Sequence, residues 1–565
     1  MGGGRNMISF VVSLILLGGF YEWNATIIGM SILVEILFFY QKKKPIYQRE
    51  KNIFFWIPGI IFVWMIGVSF WALDRSEHML GILRGVIFLF WLYRCFLMEE
   101  EEKKKIFKII PYIGAIMVGV GGISLAQESL AAYFWQARRF GGFFQYPNTC
   151  ALFLMIGLVL QIDKLVEKNS QYRKQALIQN VNCKYFNEVN KSYTVLEVVV
   201  LMVLIVGLFL TGCRSVLLLF LLWGIYKAVK IKELRVPFFT MTALTIFLVY
   251  GYSMLVGDQQ NIARIFTIFK ANSTIYGRML YGIDALSMVV KQPLGLGYRG
   301  YFYMQPMVQT GVYTTRFVHN DFLQIMVDYG IFAFLLVVVY LGYQIFKGKQ
   351  TSLQKEILIL LLLASLMDFH LQYMSSLMLL VLCLDLGEKG KIIKRKDLRE
   401  NYIFIAVGMI VLLYFTVAFG ANYFGNYSLA LKVFPSYTEV QIKALEERQE
   451  KDEAVKLADE ILSHNEYVAE AYHIKVYAAV MEENFLEAVE YIEKSLRLRR
   501  YDVERYKNYD DLFDEMIRIC HNKEKIQEVE ILKKKKEELP QKLAALEEET
   551  HPLAFLLRDQ PQFMW

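Results

Sequence analysis

At 565 residues, 55% hydrophobic and with a mean hydropathy of +0.33, the chain is too apolar for a soluble protein and long enough for many membrane spans plus a further domain. Its net charge of +7 divides unevenly: residues 423–565 carry 21 Lys+Arg against 30 Asp+Glu, leaving 41 against 25 for residues 1–422. A basic excess confined to the apolar part reads as membrane topology and excludes nucleic-acid binding as its explanation. Cys95, Cys150, Cys183, Cys213, Cys383 and Cys520 are scattered without CxxC or zinc spacing, so neither a disulfide framework nor a zinc site is indicated.

The first apolar run, within MGGGRNMISFVVSLILLGGF, has no convincing cleavage site and is expected as a retained span. Further runs follow at about 25–40, 53–73, 79–97, 106–126, 149–165, 195–211, 215–229, 236–256, 321–346, 355–368, 371–387 and 402–422, giving about 12–13 spans. The two short runs at 355–368 and 371–387 suit a tight hairpin or a re-entrant pair. Basic connections such as QKKKPIYQREK (41–51), KAVKIKELR (227–235) and EKGKIIKRKDLR (388–399) recur after every second span. The positive-inside rule then puts the N-terminus in the cytoplasm. By the same count the long 257–320 loop and everything after residue 422 lie outside, at the external face of the cell membrane.

After the last span the chain becomes charged and helix-favouring, and it repeats. Glu453-Ala454-Val455 recurs as Glu487-Ala488-Val489, and Tyr467, Glu470 and Tyr472 recur as Tyr501, Glu504 and Tyr506. A 34-residue period of paired helices resembles tetratricopeptide repeats, which implies a protein partner or a brace for the external loop. The expected domains are therefore 1–422, polytopic and membrane-embedded, and 423–565, helical repeat.

The chemistry concentrates in the 257–320 loop and the start of the next span. Arg264, Lys270, Arg278, Lys291, Arg299 and Arg316 face only Asp258 and Asp284 there, and guanidinium forks match phosphate oxygens. Arg316, His319, Asn320 and Asp321 fall together just before an apolar run; Asn320 and Asp321 are good helix N-cap types, which would hold His319 at the water–membrane boundary. Tyr298 and Tyr313 are candidates to stack on sugar rings, or to form an interfacial aromatic belt. No Asp-x-Asp pair or His/carboxylate cluster occurs in the outer loops, so no metal or other cofactor is expected.

Four stretches, in order, resemble the O-antigen ligase and polysaccharide polymerase family. They are RRFGGFFQYPNTCALF (138–153), TGCRS (211–215), STIYGRMLYGIDALSMVVKQPLGLGYRGY (273–301) and HNDFLQ (319–324), the last followed by Asp328, Gly330 and an apolar span. Cys213 stands where the family commonly has Ser. The resemblance implies an all-α transmembrane bundle of GT-C type. It also implies transfer of a saccharide from an undecaprenyl-diphosphate-linked donor to an acceptor hydroxyl on a saccharide or lipid. Arg139, Arg214, Arg278, Arg299 and Arg316 are the implied diphosphate ligands, His319 the general base or an acceptor-orienting group, and Asn320, Tyr313 and Tyr298 the sugar side. Imidazoles ordinarily titrate near neutral pH, which suits such a base. Ligase and repeat-unit polymerase share these motifs. A flippase, whose arginines would line a path for an anionic lipid, and an assembly scaffold are the rival classes.

Overall fold

The computed structural model describes residues 8–41, 46–49, 56–178, 194–232, 273–387, 389–393, 398–447 and 450–563, with scattered positions between 235 and 251. Most of the span expected at 236–256 lies outside the described residues, as do Arg264 and Lys270. Helix dominates, and among the described residues only two short antiparallel pairs are extended: Ile46–Arg49 with Lys389–Ile393, and Trp135–Gln136 with Arg139–Phe140.

Six described helices are long and apolar enough to cross a membrane: Glu22–Gln41, Arg75–Leu97, Glu100–Ser124, Pro147–Gln171, Asp321–Phe346 and Tyr402–Tyr423. Each coincides with an expected run. The remaining described runs form shorter helices, some of them cut short by turn-forming residues. The first run stops at Ile15, where Gly18 and Gly19 take left-handed backbone conformations. The pair expected at 355–387 becomes Ser352–Ser365 and Met374–Leu382, parted by a 3-10 turn at His370–Gln372. At nine residues, Met374–Leu382 extends only about 14 Å, under half of a bilayer core. The 257–320 loop is itself structured, into Ser273–Lys291 and Gly300–Val308.

The chain divides into two compact units. The first comprises Met1–Trp56, Ile87–Lys270 and Tyr340–Leu412. Its buried Arg94 is paired, as apolar surroundings require: it lies 3.1 Å from Glu35 and 3.6 Å from Glu102, and the Ser9 amide and hydroxyl donate to the other Glu35 oxygen.

The second unit comprises Ile57–Val86, Ala271–Val339 and Leu413–Trp565. The acidic C-terminal region thus folds together with the 271–339 segment. Its helices Lys451–His464, Ala469–Met481, Phe485–Leu498 and Val503–Asn522 reproduce the sequence repeat: the first and third start 34 residues apart (485 − 451), as do the second and fourth (503 − 469). Ala454 and Ala488 are buried at the same helix position, and so are Tyr472 and Tyr506. The repeat period is therefore the period of core-facing positions. Phe485, Ile492, Tyr509, Phe513, Met516 and Leu532 lie at the centre of that core.

Candidate active site

In the first unit, pieces of sequence far apart converge on Arg139. Its Nε donates to the Thr211 carbonyl at 2.8 Å, which joins the 138–153 stretch to TGCRS. Its Nη2 donates to Asn148 Oδ1 at 2.8 Å, and Asn148 Nδ2 donates to Asp368 at 2.5 Å. The Tyr146 hydroxyl donates to both Asp368 oxygens at 3.0 Å, while its ring stacks on Phe369 at 4.9 Å between centroids. Beside them Thr149 Oγ1 meets His370 Nδ1 at 3.1 Å. The guanidinium of Arg139 is thereby held at two of its nitrogens, by a backbone carbonyl and by a side-chain amide oxygen. Arg214 is the first residue of the Arg214–Lys230 helix and is half-buried; Cys213, at the N-cap, places its thiol 3.5 Å from the Ser215 hydroxyl.

The second unit is organised around a break in the Asp321–Phe346 helix. Gly330 has φ 82° and ψ 173°, a region open in practice to glycine alone. The break frees backbone carbonyls in a membrane-crossing helix, where water is absent and every such group needs a partner. The Pro293–Gly297 turn supplies them: the Leu296 amide donates to Val327 O at 2.8 Å and the Gly297 amide to Asp328 O at 2.9 Å. Trp64 Nε1 takes Tyr329 O at 2.7 Å, and the Ile331 amide returns a bond to Pro293 O at 2.9 Å. Gly295, at φ 95°, lets the two backbones touch, since a Cβ there would lie 2.6 Å from Gly330 N. The glycines of the turn and Gly330 are thus two halves of one joint.

From this joint the chain enters Arg299, which has a left-handed φ of 64° and is 6% exposed. Its Nη1 lies 2.7 Å from Glu77 and 2.6 Å from Glu439. Arg316 reaches the same Glu439 oxygen at 2.9 Å, and Lys443 reaches the other at 2.9 Å. The Tyr303 hydroxyl and the Glu439 amide both donate to Glu77 Oε1, at 3.1 and 2.9 Å. Burial alone would raise the Glu439 carboxyl, but Arg299, Arg316 and Lys443 together hold it well below the usual carboxylate range. Alongside, Asp74 Oδ1 caps the Arg75–Leu97 helix through the amides of Ser76 and Glu77, while its Oδ2 accepts from Thr438 at 2.6 Å and Asn465 at 2.8 Å. The Tyr298 amide donates to His78 Nδ1 at 3.0 Å, so the His78 proton sits on Nε2 and is donated to Met65 O at 2.8 Å.

Downstream, Asn320 caps the Asp321–Phe346 helix by accepting from the Phe322 and Leu323 amides at 3.0 and 3.1 Å, as its position in the sequence implies. His319 precedes it at φ 58°, half-buried, with its ring 5.8 Å from that of Tyr281. Tyr281 belongs to the Ser273–Lys291 helix, three residues after Arg278 and so on the same face. Burial pushes the Tyr281 phenol up, and the neighbouring Arg278 charge draws it back. Tyr281 packs 4.4 Å from Tyr313, whose hydroxyl donates to Asp284 at 2.6 Å; the Thr310 amide and hydroxyl complete that carboxylate's bonds at 3.0 and 2.8 Å. Burial pushes the Asp284 carboxyl above the usual range, and these hydrogen bonds pull it back.

The structure therefore sets the His319 ring beside Tyr281, with Arg278 one turn earlier on the same helix face, and gathers Arg299 and Arg316 on Glu439. Tyr298 and Tyr313 are 5% and 9% exposed, and their rings are covered by the protein's own packing. Glu77 and Glu439 carried no sequence signal, lying 362 residues apart (439 − 77) and meeting at Arg299 and through the Glu439 amide. Asp284 was visible only as an acidic exception in a basic loop. Among the described residues no three His, Cys, Asp or Glu side chains come together in the manner of a metal site.

An almost wholly helical chain with six apolar, membrane-length helices is a multi-pass membrane protein. More particularly, residues 199–338 match the family model described as O-antigen ligase. The match contains Arg214, Arg278, the Pro293–Gly297 turn, His319 and Gly330. No curated protein and no solved structure matches the chain.

Proposed function

We propose that the protein is a membrane glycosyltransferase that moves a saccharide from an undecaprenyl-diphosphate-linked donor to an acceptor hydroxyl at the external face of the cell membrane. The observation that carries this reading is the packing of the His319 ring beside Tyr281, one helical turn from Arg278 on the same face, within residues 199–338. In the step proposed, the acceptor oxygen bonds to the anomeric carbon as the bond from that carbon to the diphosphate oxygen breaks. The electron pair leaves with the lipid diphosphate, whose growing charge Arg278 stabilises, and the acceptor proton passes to His319. Such proton transfer is worth ~10²–10⁴ in rate. Arg139 and Arg214 are proposed as further diphosphate ligands on the strength of their motif matches. Arg299 and Arg316 are assigned to holding the loop through Glu439, and Asn320 to the acceptor side. The repeat helices are proposed as a docking surface for a protein partner.

The test is donor consumption by the purified protein in lipid, with an undecaprenyl-diphosphate oligosaccharide as donor. His319→Asn is the informative variant, because Asn tolerates the left-handed backbone that position requires. Loss of turnover with retained donor binding supports the assignment, and unchanged turnover removes His319 from the chemistry. A ladder of products marks a polymerase, and a single added unit a ligase. Movement of intact donor across the bilayer with no cleavage would make the protein a flippase. For Arg278, loss in both the Lys and Ala variants points to a bidentate contact, and rescue by Lys to charge alone.

A further inference from the structure

Away from Tyr281, the second unit has an open pocket of about 510 Å³, within the roughly 300–1,000 Å³ typical of small-ligand sites. One side is built from the ends of the two loop helices, with Lys291 closing Ser273–Lys291 and Met307 near the close of Gly300–Val308. The other side comes from the helices Phe485–Leu498, Val503–Asn522 and Ile526–Glu549. Four cations line it, Lys291, Arg497, Arg500 and Lys542, against two carboxylates, Glu493 and Glu549.

The pairing is uneven. Arg500 is matched by Glu549, and Lys542 by Glu493 at 3.3 Å, a carboxylate that also receives Lys535 at 2.9 Å. Lys291 and Arg497 are exposed and have no ion pair among the described residues. Two surplus positive charges therefore sit in one concave site, where charges of one sign focus the field on an incoming anion. Between them run apolar surface from Met307 and Leu496, the ring of Tyr506, and paired Arg–Glu and Lys–Glu groups that offer both donors and acceptors. A sugar ring presents the complement, with an apolar C–H face and a rim of hydroxyls that donate and accept.

We propose that this cavity is a binding site for an anionic saccharide, one whose carboxylate or phosphate groups are taken by Lys291 and Arg497. The choice of a saccharide rests on the transferase reading above; the surplus charge does not. Occupation would tie the repeat helices to the loop bearing Arg278, so the repeat domain would hold part of a chain that the active site has made or extends.

The experiment is calorimetric titration of the full-length protein in zwitterionic lipid nanodiscs, without donor, using a hexauronate, neutral maltohexaose, inorganic phosphate and a polyglutamate peptide. The hexauronate should bind and weaken with salt. Lys291→Gln with Arg497→Gln should reduce its affinity about tenfold without moving the unfolding midpoint, since both side chains are exposed. Equal binding of maltohexaose, competition by phosphate alone at similar concentration, tighter binding of polyglutamate, or indifference to the double substitution would each overturn the assignment. Hexauronate binding by a protein that cleaves no donor would overturn only the transferase reading. Donor cleavage without hexauronate binding would overturn only the cavity.

Discussion

Replacing Gly330 by alanine tests the joint between the Pro293–Gly297 turn and the Asp321–Phe346 helix. The backbone at φ 82° and ψ 173° costs an L-residue about 1–3 kcal/mol before any contact is considered. A Cβ would also lie 2.5 Å from Leu294 C, 2.6 Å from Leu294 O and 2.7 Å from Pro293 O, all backbone atoms that no rotamer change can move aside. To relieve this the turn must withdraw, which breaks the Ile331–Pro293 and Leu296–Val327 hydrogen bonds at about 1 kcal/mol each. The expected loss is thus about 3–5 kcal/mol. The assay is the thermal unfolding midpoint of purified protein in a fixed detergent. Gly342→Ala is the control: it lies in the same helix, and a Cβ there meets nothing within 4 Å. Gly330→Ala should unfold well below the wild type while Gly342→Ala does not. Matching midpoints for the two variants would refute the joint.

Glu439→Gln removes the carboxylate shared by Arg299, Arg316 and Lys443 and should cost about 2 kcal/mol at neutral pH. The Glu439 carboxyl is held below its unfolded value near pH 4, so its contribution is complete above that value and drains away as pH falls further. The wild type and the variant should therefore converge in stability only in acid, and a constant difference down to acid pH would contradict this. Asn148→Leu leaves Arg139 Nη2 and Asp368 without the amide that joins them, and should destabilise by about 1–3 kcal/mol in a denaturation series. In the second unit, the Pro552–Leu556 turn packs on the Ser273–Lys291 helix, with Ala554 fully buried beside Leu280 and Tyr313, and the His551 amide donates to Thr310 O at 2.9 Å. Ala554→Asp buries a charge there, so the C-terminal segment should release and become cleavable by carboxypeptidase. Continued resistance to cleavage would show that the contact is dispensable.

Hydropathy and local motif chemistry go a long way in this chain. The six long spans, the Asn320 cap before an apolar helix, and the 34-residue spacing of the C-terminal helices all follow from near neighbours along the chain, where periodicity and capping operate. Arg278 and His319 are singled out by their match to family motifs, and the structure has Arg278 within a helix and His319 just before one. What near-neighbour logic cannot see is pairing across long separations. Nothing local shows that Arg299 meets Glu77 and Glu439, which come from either side of it in sequence, or that Tyr298 and Tyr313 are buried. Tertiary structure alone decided these, because the energy of a charge or an aromatic ring depends on what surrounds it, and here those surroundings come from segments up to several hundred residues away.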